Sequence, residues 1–262
     1  MSLLRELADL VLPGSCAGCD AQRVPLRHGV CATCVAEVEG LRPYATAPVP
    51  PPPGMPYCVT AGAYGGAVRG MLLAYKERGR HGLARPLGAV LAGAVAEIAP
   101  ERGRPLLLVP VPSTAAARRE RFGDHMARLA THAVRRLRAA GWEASVAQPL
   151  RAEARPDSAS LDASARRVAA ENSLRIRQSR IGVPARRNTM RSTLVVVDDI
   201  VTTGATLASA ASRLEEANMQ VAGAAVIAAT RLRKTVPQPP AGRASRRVPG
   251  HSRHAGGSPN EG

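Results

Sequence analysis

Asp198 and Asp199 follow the apolar run Leu194-Val195-Val196-Val197, and beyond Ile200-Val201 come Thr202, Thr203, Gly204, Ala205 and Thr206. Ionised carboxylates only accept hydrogen bonds, which suits them to sugar hydroxyls or to waters around a divalent cation. Gly204 lets the backbone approach a ligand closely, and the threonines add hydroxyl donors. A helix beginning at Ala205 turns free N–H groups and the positive end of its dipole toward the same point, which favours an anion. A monophosphate fits that loop. A phosphate cup beside two diol acceptors describes a ribose 5-phosphate site. The plainer reading is a buried strand that ends in two acids before an N-capped helix, and it needs no ligand. A Walker-type loop is excluded because Gly-Lys-Ser/Thr is missing, and a dinucleotide fingerprint by the single glycine.

A second constellation lies near the N-terminus. Cys16-Ala17-Gly18-Cys19 and Cys31-Ala32-Thr33-Cys34 form two C-x2-C pairs eleven residues apart. That spacing brings four thiolates around one zinc, and a segment this small needs the metal to fold. The alternative is four thiols without metal. His28, inside the loop, reads as a solvated histidine because the cysteines already fill the shell. Cys58 reads as a small apolar residue of a strand. Five cysteines in a chain with no secretory leader pattern point to metal or free thiols rather than disulfides.

The spacing of apolar residues predicts alternating strands and helices. Strands are expected at Tyr57–Tyr64, Pro105–Val111, Leu194–Val197 and Val221–Ala228, with Trp142–Ala147 at a sheet edge. Helices are expected around Val68–Tyr75, over Gly82–Ile98, around Met126–Leu137 and from Ala205. Such alternation gives an α/β fold with a mainly parallel sheet and helices on both faces. Residues 2–12 show a short amphipathic helix pattern, and Pro43–Pro56 reads as an extended, semi-rigid spacer. The boundaries follow: 1–42 for the N-terminal helix and cysteine knuckle, 43–56 for the linker, 57–231 for the main domain and 232–262 for a basic disordered tail. No apolar run reaches membrane-spanning length, so no membrane insertion is expected and the cytoplasm is the default location.

Val196–Thr206, Val-Val-Asp-Asp-Ile-Val-Thr-Thr-Gly-Ala-Thr, resembles the phosphoribosyl-pyrophosphate (PRPP) signature of type I phosphoribosyltransferases. The cysteine knuckle, Tyr-Lys-x-Arg-Gly-Arg (Tyr75–Arg80), Leu-Val-Pro-Val-Pro (Leu108–Pro112) and that signature occur in the order seen in the competence-associated ComF/ComFC family. The resemblance covers about residues 10–231. It implies a type I phosphoribosyltransferase fold behind a small structural zinc domain, binding PRPP with Mg2+. It implies that Asp198 and Asp199 take the ribose hydroxyls. Thr202, Thr203, Gly204, Ala205 and Thr206 take the 5′-phosphate. Val111, Pro112 and Ser113 are candidates for the pyrophosphate, and Lys76 joins them by family position. It further implies a link to uptake of single-stranded DNA and to DNA-uptake proteins, with no acceptor specified. The chain departs from the family at Glu120–His125, where Arg-Gly-Phe-Asn-Gln is usual, and at Pro156–Asp162, where Pro-Gln-x-Gly-Leu-Ser is usual. Arg118, Arg119 and Arg121 are expected on a flexible segment. No general base stands out; His125 reads as a helix-surface histidine.

The net charge of +16 supports a reading from another class, a non-catalytic single-stranded-DNA-binding protein built on the same fold. Such a charge attracts polyanions of any sequence. With only 2% aromatic residues, stacking on bases would contribute little, so DNA affinity would be mainly electrostatic.

Overall fold

The computed structural model describes residues 14–99, 103–121, 123–153, 174–177 and 192–230. Its centre is a six-stranded sheet of β3 (Tyr44–Ala45), β4 (Cys58–Ala63), β10 (Val221–Ala229), β9 (Thr193–Val201), β5 (Leu106–Pro110) and β6 (Ala144–Val146), in that spatial order. All neighbours run parallel except β3 and β4. Strand alternation sorts the side chains into two cores. Val195, Val197, Leu106, Leu108, Ala225 and Ile227 face one side. Leu194, Val196, Leu107, Val109, Ala224 and Val226 face the other. Each fully buried valine or leucine adds about 1.5–3 kcal/mol.

The first face is covered by α2 (Gly66–Glu77), α3 (Ala84–Ile98) and α5 (His125–Ala139). The second is covered by α6 (Ala205–Glu216), with a small hairpin of β7 (Leu150–Ala152) and β8 (Leu174–Ile176) beside it. The expected mainly parallel α/β sheet, helices on both faces and the edge position of residues 144–146 are therefore as found. Several boundaries shift: the edge strand expected at Trp142–Ala147 covers Ala144–Val146, and others move by a residue. The helix expected from Gly82 starts at Ala84 after a short 3-10 turn at His81–Leu83. The strand expected to end at Val197 continues to Val201, because β10 pairs with it along its whole length. The two acids thus lie within β9 and, by alternation, on opposite sides of it.

Residues 43–56 do more than space two units. Tyr44 and Ala45 pair with β4, Thr46 N–H donates to the Cys58 carbonyl at 2.8 Å, and Met55 packs against the second core. Arg118 and Arg119 sit in a short helix, α4 (Ala115–Glu120), and Arg121 closes it. Thr114 caps that helix, its Oγ1 accepting from Ala117 N–H at 3.2 Å.

The cysteine unit folds as β1 (Leu26–Arg27), β2 (Val30–Cys31) and α1 (Ala32–Glu39) and joins the first core through Cys16, Cys31 and Cys34. It is docked on α2. Glu37 Oε1 accepts from Ala67 N–H at 2.9 Å, capping the start of that helix. Arg80 Nη1 donates to the Ser15 carbonyl at 2.6 Å. Gly70 faces the Gly18 carbonyl so closely that a Cβ there would collide with it. The amphipathic pattern of residues 2–12, the loop at Pro156–Asp162 and the basic tail lie outside the described residues.

Candidate functional site

The four cysteine sulfurs all lie within 4.8 Å of one another, with Cys19 Sγ and Cys31 Sγ 3.8 Å apart. Sulfurs bound at ~2.3 Å to a tetrahedral zinc stand about 3.8 Å apart, so the donor set and its spacing fit a structural metal. Burial raises the Cys16 pKa, but N–H groups of Cys31, Cys19 and Gly18 outweigh it and bring the thiol down to about 6, toward the thiolate a metal needs. His28 is exposed in the turn between β1 and β2.

At the carboxyl end of β9, Asp199 turns toward α2 and α5. It is 5% exposed. Lys76 Nζ, near the end of α2, donates to its Oδ2 at 2.6 Å. His125 Nε2, at the start of α5, lies 3.0 Å from the same oxygen. Burial opposes ionisation of Asp199, but the His125 hydrogen bond and the Lys76 charge win and hold it below the usual carboxylate range. Oδ1 takes neither contact. Asp198, on the other side of the strand, accepts the Asp199 N–H at 2.9 Å. Burial and the adjacent Asp199 charge push its pKa up to about 8, against weaker opposition from that N–H and from Lys76. Their surroundings therefore push the two acids in opposite directions, Asp199 toward the paired anion and Asp198 toward the protonated form.

His125 is buried, not on the helix surface, and its other nitrogen, Nδ1, is 3.0 Å from Ser113 Oγ. Ser113 lies in the loop after β5, where Val111 N–H extends the sheet by donating to the Val197 carbonyl at 2.9 Å. Asp124 caps α5 through Ala127 N–H at 3.0 Å. Tyr75 donates from its hydroxyl to the His125 carbonyl at 2.9 Å and stands edge-on to the imidazole. Lys76, Ser113, His125 and Asp199 thus form one continuous polar cluster drawn from α2, α5, β9 and the loop after β5.

The hydroxyl loop follows β9 directly. Gly204 has φ +76°, the left-handed region that favours glycine, and stands before the twelve-residue α6. Thr202, Thr203 and Thr206 are exposed, while Gly204 and Ala205 are buried. Thr203 Oγ1 accepts from Ala205 N–H at 3.4 Å. A Cβ on Gly204 would come 2.6 Å from Met55 Sδ and 3.3 Å from Pro48 Cγ. The glycine is therefore packed from behind by the proline-rich segment, and crowding on substitution would fall there first.

Residues 129–243 match a family model described as phosphoribosyl transferase domain. The match begins inside α5, so it takes in Asp198, Asp199 and the hydroxyl loop but not Lys76, Ser113 or His125. No curated protein matches the chain. The strand with its two acids, the loop with its left-handed glycine and the helix behind it thus lie in the part of the chain that is similar to phosphoribosyl transferase domains.

Proposed function

We propose that this chain is a ComF-type PRPP-binding protein that transfers the phosphoribosyl group. The observation that carries the reading is the run from Asp198 to α6: a split acid pair, an exposed hydroxyl loop and a helix start behind Gly204. In this reading the ribose hydroxyls meet Asp198 and Oδ1 of Asp199. The 5′-phosphate sits on Thr202–Thr206 at the start of α6, where free N–H groups favour an anion. The pyrophosphate meets Val111, Pro112 and Ser113. Magnesium bound with the diphosphate beside Val111, Pro112 and Ser113 would supply positive charge to the leaving group. Lys76 and His125 hold Asp199 ionised and fixed, so the acceptor for the ribose is organised before substrate arrives. The cysteine unit holds a structural zinc and steadies α2, the helix that carries Tyr75 and Lys76. The test is calorimetric titration with PRPP and magnesium.

A link to DNA uptake belongs to the same proposal. Its support is the resemblance and the charge of +16. Single-stranded DNA is expected to bind with little sequence preference and with an affinity that falls steeply with salt. A salt-independent affinity, or none at low salt, would count against it. No helix among the described residues is long and apolar enough to cross a membrane.

A further inference from the structure

His125 spends both ring nitrogens on side chains from two different strand ends: Nε2 on Asp199 Oδ2 and Nδ1 on Ser113 Oγ, each at 3.0 Å. An ionised carboxylate only accepts, so Nε2 carries the hydrogen. In the neutral ring Nδ1 is then an acceptor, and the Ser113 hydroxyl donates to it. The ring is held in this pose from several sides. Asp124 caps its helix, Tyr75 holds its carbonyl, and the side chain is almost fully enclosed. Packing alone would not require both nitrogens to reach these two partners.

We propose that His125 is a positioning residue that ties the ribose end of the site to its pyrophosphate loop, so that filling one half changes the affinity of the other. The inference rests on the PRPP reading above. Its physical basis is the single hydrogen of the Ser113 hydroxyl. A bound diphosphate presents acceptors and competes with Nδ1 for that hydrogen. When the hydroxyl turns to the diphosphate, the imidazole loses one of its two anchors, and the change reaches Asp199 through Nε2. The ribose carboxylate thereby senses whether the pyrophosphate loop is occupied.

The test uses the full chain and two variants, His125→Gln and His125→Leu. A carboxamide offers one donor and one acceptor, as the neutral ring does; leucine fills the space and offers neither. Ribose 5-phosphate affinity is measured with and without saturating magnesium pyrophosphate. In the wild type it should change by at least about fivefold. The Gln variant should keep most of that factor, and the Leu variant should lose it. Nitrogen NMR of the wild-type imidazole supplies a readout that does not depend on either variant folding. The free protein should show the Nε2–H tautomer, with an Nδ1 resonance that moves when magnesium pyrophosphate is added. The same coupling factor in the Leu variant, an Nδ1–H tautomer, or an Nδ1 resonance indifferent to pyrophosphate would overturn the proposal while leaving PRPP binding intact. Failure of the wild type to bind either ligand would overturn the PRPP reading and this proposal with it.

Discussion

Lys76 Nζ and Asp199 Oδ2 lie 2.6 Å apart, joining the end of α2 to the middle of the sheet. The ammonium is 18% exposed and the carboxylate 7%. A pair this enclosed is screened little by solvent, and removing the ammonium leaves the buried Asp199 carboxylate with His125 as its remaining side-chain partner. Lys76→Met is expected to destabilise the protein by roughly 1.5–3 kcal/mol, the scale of a hydrogen bond to a charged group. Urea denaturation of wild type and variant measures it. A change below about 0.5 kcal/mol would place the pair among the weak surface bridges.

Gly204 should resist substitution even without ligand. Its left-handed φ and the closeness of Met55 both oppose a side chain. Gly204→Ala is expected to cost about 1–3 kcal/mol. Met55→Ala in the same chain should return part of that loss, because the two residues touch. Strictly additive losses in a double-mutant cycle would mean that Met55 does not crowd this position.

The acid pair makes stability depend on pH in two opposite ways. Asp198, pushed up to about 8, binds a proton in the folded state that it lacks when unfolded between its ordinary carboxyl range and 8. Its contribution therefore falls as pH rises across that window. Asp199, held low, contributes fully above the ordinary range and loses that contribution as pH falls. Asp198→Asn keeps the shape and removes the first effect. Melting curves between pH 5 and 8 should show the wild type losing stability relative to this variant as pH rises; parallel curves would contradict the assignment.

Much of this was legible in the chain, for reasons that residues make plain. Leu194–Val197 is buried on both sides, so its parallel-strand character needed no tertiary information. The break at Gly204 and the apolar spacing of Leu207, Ala211 and Leu214 marked α6 in the same way. His125 reads as a surface histidine by residue type, yet it falls four residues before Leu129, on the stripe that continues through Ala133 and Leu137, all buried. Its partners were not legible, because Asp199 comes from β9 and Ser113 from the loop after β5. The packing of Met55 on Gly204 was hidden for the same reason: the proline-rich composition suggested a spacer, and only the fold brings that spacer back over the loop.

The cysteine unit should carry about one zinc per chain in freshly prepared reduced protein, by elemental analysis. Since Glu37 and Gly18 meet α2 and Ser15 meets Arg80 just beyond it, stripping the metal should loosen more than the knuckle. A loss of more than ~2 kcal/mol would lower the melting temperature by at least about 5 °C. Protein that contains no zinc, or that melts unchanged after chelation, would overturn the structural role.

The most direct measurement is the affinity for PRPP with magnesium, comparing wild type with Asp199→Asn and using ribose 5-phosphate as a control ligand. Replacing the carboxylate by an amide removes a charged acceptor, worth roughly 1.5–3 kcal/mol. At about 1.4 kcal/mol per tenfold, wild type should bind PRPP and the variant should bind it roughly ten- to a hundredfold more weakly. Zinc content should be the same in both, since the knuckle lies apart from β9. If wild type binds neither PRPP nor ribose 5-phosphate at millimolar concentration, the phosphoribosyl site is not functional in this chain, and single-stranded DNA binding becomes the leading account.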